Sequence, residues 1–315
     1  MTLRVRLAGP RPVILDGATG TELQRRGVDT GLPLWSARAL ASVRGREILI
    51  GIHADYARAG AEVLTTNTFR TTPRALAKAG HENRWVLFNR HAVEAARDGA
   101  RVGTRAGAVA NPVAAPRSTF VAGSIAPLED CYSCDLVPPQ AECLREHLRQ
   151  VDLLARLGVD LILIETMNTH REALGGVRAV RAAGIDALLS LCPGKPDALL
   201  SGEPLADSVP RLLDASGGRV IGVLLNCATP EVLARSVPGL AQLAGHLPWG
   251  VYAHLGEPDS VTGWRLPDRH EPEAYSEWIR DRLCDGARLV GGCCGTTPEH
   301  IAAITPGSVD RHTAS

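Results

Sequence analysis

Eight short apolar segments recur along the chain, and most of them end in a polar or small residue. They cover residues 13–16, 63–67, 120–124, 161–165, 187–192, 220–227, 250–254 and 288–293. Segments that are this short and this continuously apolar are typical of parallel strands covered on both faces. The pattern therefore predicts eight buried parallel strands.

Helical patterns lie between these segments. Residues 47–59, 143–157 and 171–183 carry apolar side chains every three or four positions, and a glycine follows each stretch. This spacing indicates amphipathic helices that end at the glycine. Strands that alternate with helices predict an α/β fold, the (βα)8 TIM barrel. A doubly wound open sheet is the alternative, but no GxGxxG motif follows the first strand.

Nothing in the sequence divides the chain, since it shows no repeat, linker or break in composition. We therefore expect one domain over residues 1–315, with its core at about 11–305. The last residues, 306–315, have the composition of a frayed tail.

Composition and charge exclude several classes of protein. Lys+Arg and Asp+Glu both number 34, which argues against a nucleic-acid partner held by a strong positive field. No stretch approaches the roughly 18 apolar residues of a membrane span, and no signal peptide is visible. We expect a cytoplasmic protein with no membrane partner. The composition leaves a homo-oligomer open.

Eight cysteines among 315 residues are too few for a disulfide scaffold. Three of the cysteines at predicted strand ends are candidates for one site: Cys227 ends the sixth strand, and Cys293 and Cys294 end the eighth among glycines. Converging thiolates suit Zn²⁺, and three protein ligands leave a fourth position open, as in catalytic zinc sites. Packing as small core residues is the alternative.

Polar residues also end four other predicted strands, at Asp16, Asn67, Ser124 and Glu165. The chemistry of a barrel takes place at the carboxyl ends of its strands. We therefore expect these four side chains to surround the same mouth as the three thiols.

Several blocks of the chain resemble the homocysteine S-methyltransferase family of zinc-dependent (βα)8 barrels. The blocks are DGATGTELQRRG (16–27), TTNTF (65–69), AGSIAP (122–127), ET (165–166), NC (226–227) and GGCCGTTPEH (291–300). The last block is also similar to the homocysteine domain of cobalamin-dependent methionine synthase.

The resemblance implies an enzyme that moves a methyl group to the thiolate of homocysteine and gives methionine. It implies that Cys227, Cys293 and Cys294 bind Zn²⁺, and that Asp16 and Glu165 accept hydrogen bonds from the substrate ammonium group. S-methylmethionine and S-adenosylmethionine are the favoured donors. Betaine, a corrinoid methyl carrier and another thiol or selenol acceptor stay open. A zinc-dependent hydrolase or lyase and a non-catalytic zinc-binding barrel are the alternatives of another class.

Other polar residues near the mouth have two interpretations each. Ser124, with the backbone amides around Gly123, holds the substrate carboxylate or caps a helix or turn. Asn67 orients Asp16, touches the substrate or makes a structural hydrogen bond. Asn226 is expected to support the metal loop.

Further residues remain without an assigned role. The sequence does not decide the roles of four residues near the mouth, namely His254, Cys131, Cys134 and Cys192. The tryptophans are candidates for cation–π contact with a sulfonium donor, or for packing. These candidates are Trp35, Trp249 and Trp264.

Overall fold

Eight strands form one parallel sheet that curls into a barrel. The structure, a computed structural model, describes residues 1–110, 118–266 and 271–305, so the predicted tail at 306–315 lies outside the described residues. The strands are β1 (Val13–Ile14), β2 (Val63–Thr65), β3 (Phe120–Ile125), β4 (Leu161–Met167), β5 (Ala187–Leu191), β6 (Pro193–Lys195), β7 (Ala198–Leu199), β8 (Val220–Asn226), β9 (Trp249–Tyr252), β10 (Glu257–Asp259), β11 (Gly263–Arg265) and β12 (Leu289–Val290).

The order of the sheet is β1-β12-β9-β8-β5-β4-β3-β2, and every neighbouring pair is parallel. A parallel bridge between Leu15 and Val63 joins the two ends of the sheet. The eight predicted strands are all present, and the predicted (βα)8 barrel is confirmed. The four remaining strands form two antiparallel hairpins, β6–β7 and β10–β11.

Helices alternate with the barrel strands along the chain, and most of them cover the outside of the sheet. They are α1 (Leu3–Leu7), α2 (Thr19–Arg25), α3 (Val43–Ala59), α4 (Pro73–Ala77), α5 (Trp85–Ala110), α6 (Gln140–Arg156), α7 (His170–Ala183), α8 (Leu205–Ala215), α9 (Pro230–Ala244), α10 (Pro272–Cys284) and α11 (Pro298–Ile304). The helices predicted at 47–59, 143–157 and 171–183 correspond to α3, α6 and α7. Within the described residues, no helix is long and apolar enough to cross a bilayer.

The two faces of each barrel strand enter different cores. Along β4, Leu161 and Leu163 belong to the cluster inside the barrel, whereas Ile162 and Ile164 pack with the surrounding helices. This alternation follows from the two-residue period of a strand. Because both faces are buried, the strands are apolar throughout, which is why the sequence pattern revealed them.

Helix α1 closes the barrel at the amino ends of its strands, and no pattern in the sequence predicts it. Leu3 and Leu7 belong to the buried cluster inside the barrel. The Arg6 guanidinium pairs with Glu62, which precedes β2, at 2.6 Å from Nε to Oε2. The opposite end of the barrel, where the strands have their carboxyl ends, is left for a site.

Candidate active site

A cavity of about 450 Å³ opens at the carboxyl ends of the barrel strands. Its lining includes most of the predicted site residues, namely Asp16, Asn67, Glu165, Cys227, Cys293 and Cys294. Ser124 is fully buried and is not part of this lining. The barrel mouth therefore brings together side chains that lie up to 278 positions apart in the sequence.

The three thiols interact with one another. The thiols of Cys227 and Cys294 donate hydrogen bonds to the sulfur of Cys293, which holds the pKa of Cys293 well below its ordinary value. The same hydrogen bonds raise the pKa of the two donors, Cys227 and Cys294. The three sulfurs therefore share hydrogen bonds, and Cys293 is the most acidic of the three thiols.

The same thiols form a donor set whose chemistry fits a soft divalent metal ion. Across residues 1–110, 118–266 and 271–305, no group of three or more His, Cys, Asp or Glu side chains is already arranged around a metal-sized centre. The sulfurs instead satisfy one another through hydrogen bonds. A bound metal ion would displace the protons of these thiols, because metal coordination deprotonates a thiol.

Three residues that line the cavity have a left-handed backbone without being glycine, and one of them is Trp35, with φ = 46°. Thr166 has φ = 59° and Cys227 has φ = 56°. Such strain persists only where neighbouring groups hold it, and it is concentrated at functional sites. Asn226 provides this hold: its Nδ2 donates to Thr166 Oγ1 at 2.8 Å, and its Oδ1 accepts from Thr166 N at 3.1 Å. Asn226 therefore supports the acidic strand β4, and its predicted support of the metal loop stays a prediction.

Asp16 lies at the end of β1 and is 4% exposed. Its Oδ2 accepts from the Thr65 backbone N–H at 2.7 Å, and its Oδ1 accepts from Thr65 Oγ1 at 2.8 Å. Burial nevertheless raises the pKa of Asp16 to about 7. The residue that orients Asp16 is therefore Thr65. Asn67 instead donates from Nδ2 to the Ser36 carbonyl at 2.9 Å, the structural alternative expected for it.

Glu165 lies on β4 and shares the cavity with Asp16. Burial raises the pKa of Glu165 to about 8, and the nearby negative charge of Asp16 adds to the shift. Ser124 Oγ donates to Glu165 Oε1, so its hydroxyl positions this carboxylate and lies behind the cavity wall. Two buried carboxyl groups without a countercharge favour a cationic ligand, because a cation would stabilise their ionised forms.

Several aromatic side chains also reach the cavity. Trp35 and Trp264 line it, whereas Trp249 belongs to the core behind the sheet. Trp35 packs edge-on against Phe69, with ring centroids 5.9 Å apart. Tyr132 Oη lies 3.0 Å from Cys227 Sγ. No sequence pattern singles out Tyr132, although it lies between Cys131 and Cys134.

The residues left without a role occupy different positions around the site. Cys131 lines the cavity. Cys192 is buried, and its thiol points to the carbonyl of Cys227 at 3.6 Å. Cys134 Sγ lies 3.8 Å from the Asn168 carbonyl oxygen. His254 packs edge-on against Trp264 with ring centroids 5.0 Å apart.

Comparison with known proteins identifies the chain as a methyltransferase. It belongs to the homocysteine S-methyltransferase family, whose sequence profile matches residues 13–306. The homocysteine S-methyltransferase of Escherichia coli is 31% identical over 93% of this chain and 94% of its own length. A selenocysteine methyltransferase of Astragalus bisulcatus is 28% identical, with 93% and 91% covered.

Solved structures show the same relationship. The homocysteine methyltransferase MmuM from Escherichia coli, in its metallated form, superposes with a TM-score of 0.81 at 30% identity, covering 96% of this chain and 98% of that one. Betaine–homocysteine S-methyltransferase 1 of Danio rerio is a further relative at 26% identity, with 95% of this chain and 73% of its own covered.

Proposed function

We propose that this chain transfers a methyl group from an activated donor to the sulfur of homocysteine and produces methionine. The observation that carries the proposal is one cavity that joins three interacting thiols to two buried carboxyl groups. Such a cavity can bind the sulfur of an amino-acid thiol near the three cysteines and its ammonium group at the two carboxyl groups. Relatives whose names describe methylation of homocysteine and of selenocysteine support this choice.

In this proposal, Asp16 and Glu165 bind the ammonium group of homocysteine. Both carboxyl groups have a raised pKa because burial disfavours their charge, and a bound ammonium group would reverse that effect. Thr65 and Ser124 keep the two carboxylates in place through hydrogen bonds. The substrate ammonium thereby supplies the countercharge that the cavity wall lacks beside these acids.

Cys227, Cys293 and Cys294 are proposed to hold Zn²⁺. When bound, Zn²⁺ supplies the acidification that makes a thiol a thiolate at neutral pH. The protein contributes three cysteine side chains and a backbone conformation that directs their sulfurs toward one another. Cys227 depends on its left-handed conformation for this direction, and Asn226 precedes it in the buried end of β8.

A sulfonium donor, S-methylmethionine or S-adenosylmethionine, is proposed as the methyl source. The indole rings of Trp35 and Trp264 and the phenyl ring of Phe69 line the cavity, and aromatic faces attract cations. A volume of about 450 Å³ lies within the usual range for small-molecule sites. Betaine, a corrinoid methyl carrier and a selenol acceptor are the alternatives. We propose that the reaction takes place in the cytoplasm, in a single barrel domain, because free thiols require reducing conditions.

The proposal is tested with purified, zinc-loaded protein, homocysteine and each donor supplied separately. Methionine is measured by mass spectrometry with a methyl-labelled donor. We expect labelled methionine with at least one sulfonium donor. Absence of methionine with every sulfonium, betaine and methylcorrinoid donor would overturn the proposed function.

The metal ligands have an independent readout, which is zinc content. Cys227→Ala, Cys293→Ala and Cys294→Ala are each expected to lose bound zinc while retaining the barrel, since the core does not depend on the ion. Cys284→Ala, at an exposed cysteine on α10, is the matched control and should keep zinc. A full equivalent of zinc in all three site variants would refute the ligand assignment.

A further inference from the structure

The charged residues around the cavity are unevenly distributed. Among the described residues that line it, Arg70 is the only one with a permanent positive charge, against four acids. These acids are Asp16, Asp130, Glu165 and Asp259. An amino-acid substrate carries a carboxylate as well as an ammonium group. Arg70 is therefore the one lining side chain that offers a full countercharge to that carboxylate.

The hydrogen-bonding capacity of Arg70 is largely unused. Its Nη2 lies 3.5 Å from Asp130 Oδ1, beyond the 2.7–2.9 Å typical of a charge-assisted hydrogen bond. Its Nε is buried and has no hydrogen-bond partner. Arg74, four residues further on, shows the contrast, since it makes four hydrogen bonds to three glutamates. Arg70 thus keeps donors available beside the cavity.

The backbone that carries Arg70 is held in place by buried hydrogen bonds on both sides. Thr68 Oγ1 donates to the Ser124 carbonyl at 2.7 Å, and Thr71 Oγ1 donates to Asn89 Oδ1 at 2.8 Å. The Arg70 side chain itself is only 14% exposed. A guanidinium that is fixed and partly desolvated binds an anion more strongly than one on a flexible surface loop.

We propose that Arg70 binds the carboxylate of an amino-acid substrate through its free N–H groups and selects substrates that carry a free carboxylate. This inference rests on the proposed methyl transfer, since it assumes amino-acid substrates in this cavity. The planar fork of a guanidinium matches a carboxylate with two parallel hydrogen bonds. The carboxylate belongs to the methyl acceptor or to the methyl donor, and the experiment below distinguishes these two sources.

In a purely structural role, Arg70 would only connect its own loop to the loop of Asp130 through their ion pair. In that role the contact with Asp130 would matter, and Asp130→Asn would weaken substrate binding as much as Arg70→Gln. In the proposed role, Asp130→Asn removes a competing anion and should leave carboxylate binding unchanged or tighter. The two variants therefore give opposite expectations.

The test is calorimetric binding to the full, zinc-loaded chain, so that turnover is not required. The acceptor pair is L-homocysteine and its carboxamide, and the donor pair is S-methylmethionine and its carboxamide. In the wild type, the acid of at least one pair should bind about 10- to 100-fold more tightly than its amide, as a hydrogen bond to a charged group predicts. The pair that shows this preference identifies the source of the carboxylate.

The variants decide the outcome. In Arg70→Gln, acid and amide should bind equally, and Arg70→Lys should restore part of the preference because it keeps the charge. Circular dichroism of each variant confirms the fold. An unchanged acid-to-amide ratio in Arg70→Gln, or no preference in the wild type, would overturn the role of Arg70 alone. Failure of all four ligands to bind the wild type would overturn the proposed function as well.

Discussion

Removal of the Ser124 hydroxyl should move the ionisation of Glu165 to higher pH. The hydroxyl donates to Glu165 Oε1 and therefore stabilises the carboxylate over the carboxylic acid. A hydrogen bond to a charged group contributes about 1.5–3 kcal/mol, which corresponds to roughly one to two pKa units. Ser124→Ala should raise the pKa of Glu165 from about 8 to roughly 9–10.

The assay is kcat/KM for homocysteine against pH at saturating donor, because this parameter reports ionisations of the free enzyme. Glu165 must be ionised to bind an ammonium group, so the acidic limb of the profile should move to higher pH. At neutral pH the KM for homocysteine should rise by roughly ten-fold or more, while kcat changes less.

The matched control is Ser236→Ala, which removes an equally buried serine hydroxyl from α9, away from the cavity. This variant should leave the acidic limb where it is in the wild type. An acidic limb that stays in place in Ser124→Ala, or that moves to lower pH, would refute the reasoning about Glu165.

Three further predictions concern stability. The folded-state pKa values of Asp16 and Glu165, about 7 and 8, lie above their ordinary values, so the metal-free protein should lose stability as pH rises from about 4 to 8. The loss should be on the order of 2–4 kcal/mol per carboxyl group, and it should be smaller in an Asp16→Asn, Glu165→Gln double variant measured by urea unfolding. Leu7→Ala should lower the free energy of unfolding by about 2–3 kcal/mol, because it removes a side chain buried under the barrel. Val5→Ala, on the exposed face of α1, should change the free energy of unfolding by less than about 0.5 kcal/mol. Equal effects of the two variants would argue against the packing of α1 under the barrel. Asn226→Ala removes three buried hydrogen bonds and should cost about 2–4 kcal/mol in the same assay, and a neutral result would show that Thr166 does not need this support.

The barrel could be predicted from the sequence because its strands are buried on both faces. Each is a short, continuous apolar segment, and the polar residue at its end marks the mouth. Helix α1 was missed because five residues are too few to show a helical period, and Leu3 and Leu7 alone form no pattern.

The contacts of the site residues were harder to predict than their location. Ser124 and Glu165 are 41 positions apart, and the hydroxyl could equally have faced a substrate or capped a helix. Asn67 bonds to a carbonyl 31 positions earlier. Such pairings depend on how neighbouring strands and loops pack, which periodicity does not report. Arg70 and Tyr132 lie in loops after strands, where no apolar pattern marks them.

The position of Asn226 has a consequence for how the cavity responds to ligands. Its amide bonds to Thr166 on β4 and to Ser190 on β5, while Cys227 directly follows it after the end of β8. The acidic half and the thiol half of the mouth are therefore joined by one buried side chain across three strands. In the proposed function, this shared support would couple amino-acid binding at the acids to metal binding at the thiols. A bound amino acid should then tighten metal binding at the thiols, and the metal should tighten amino-acid binding by the same factor.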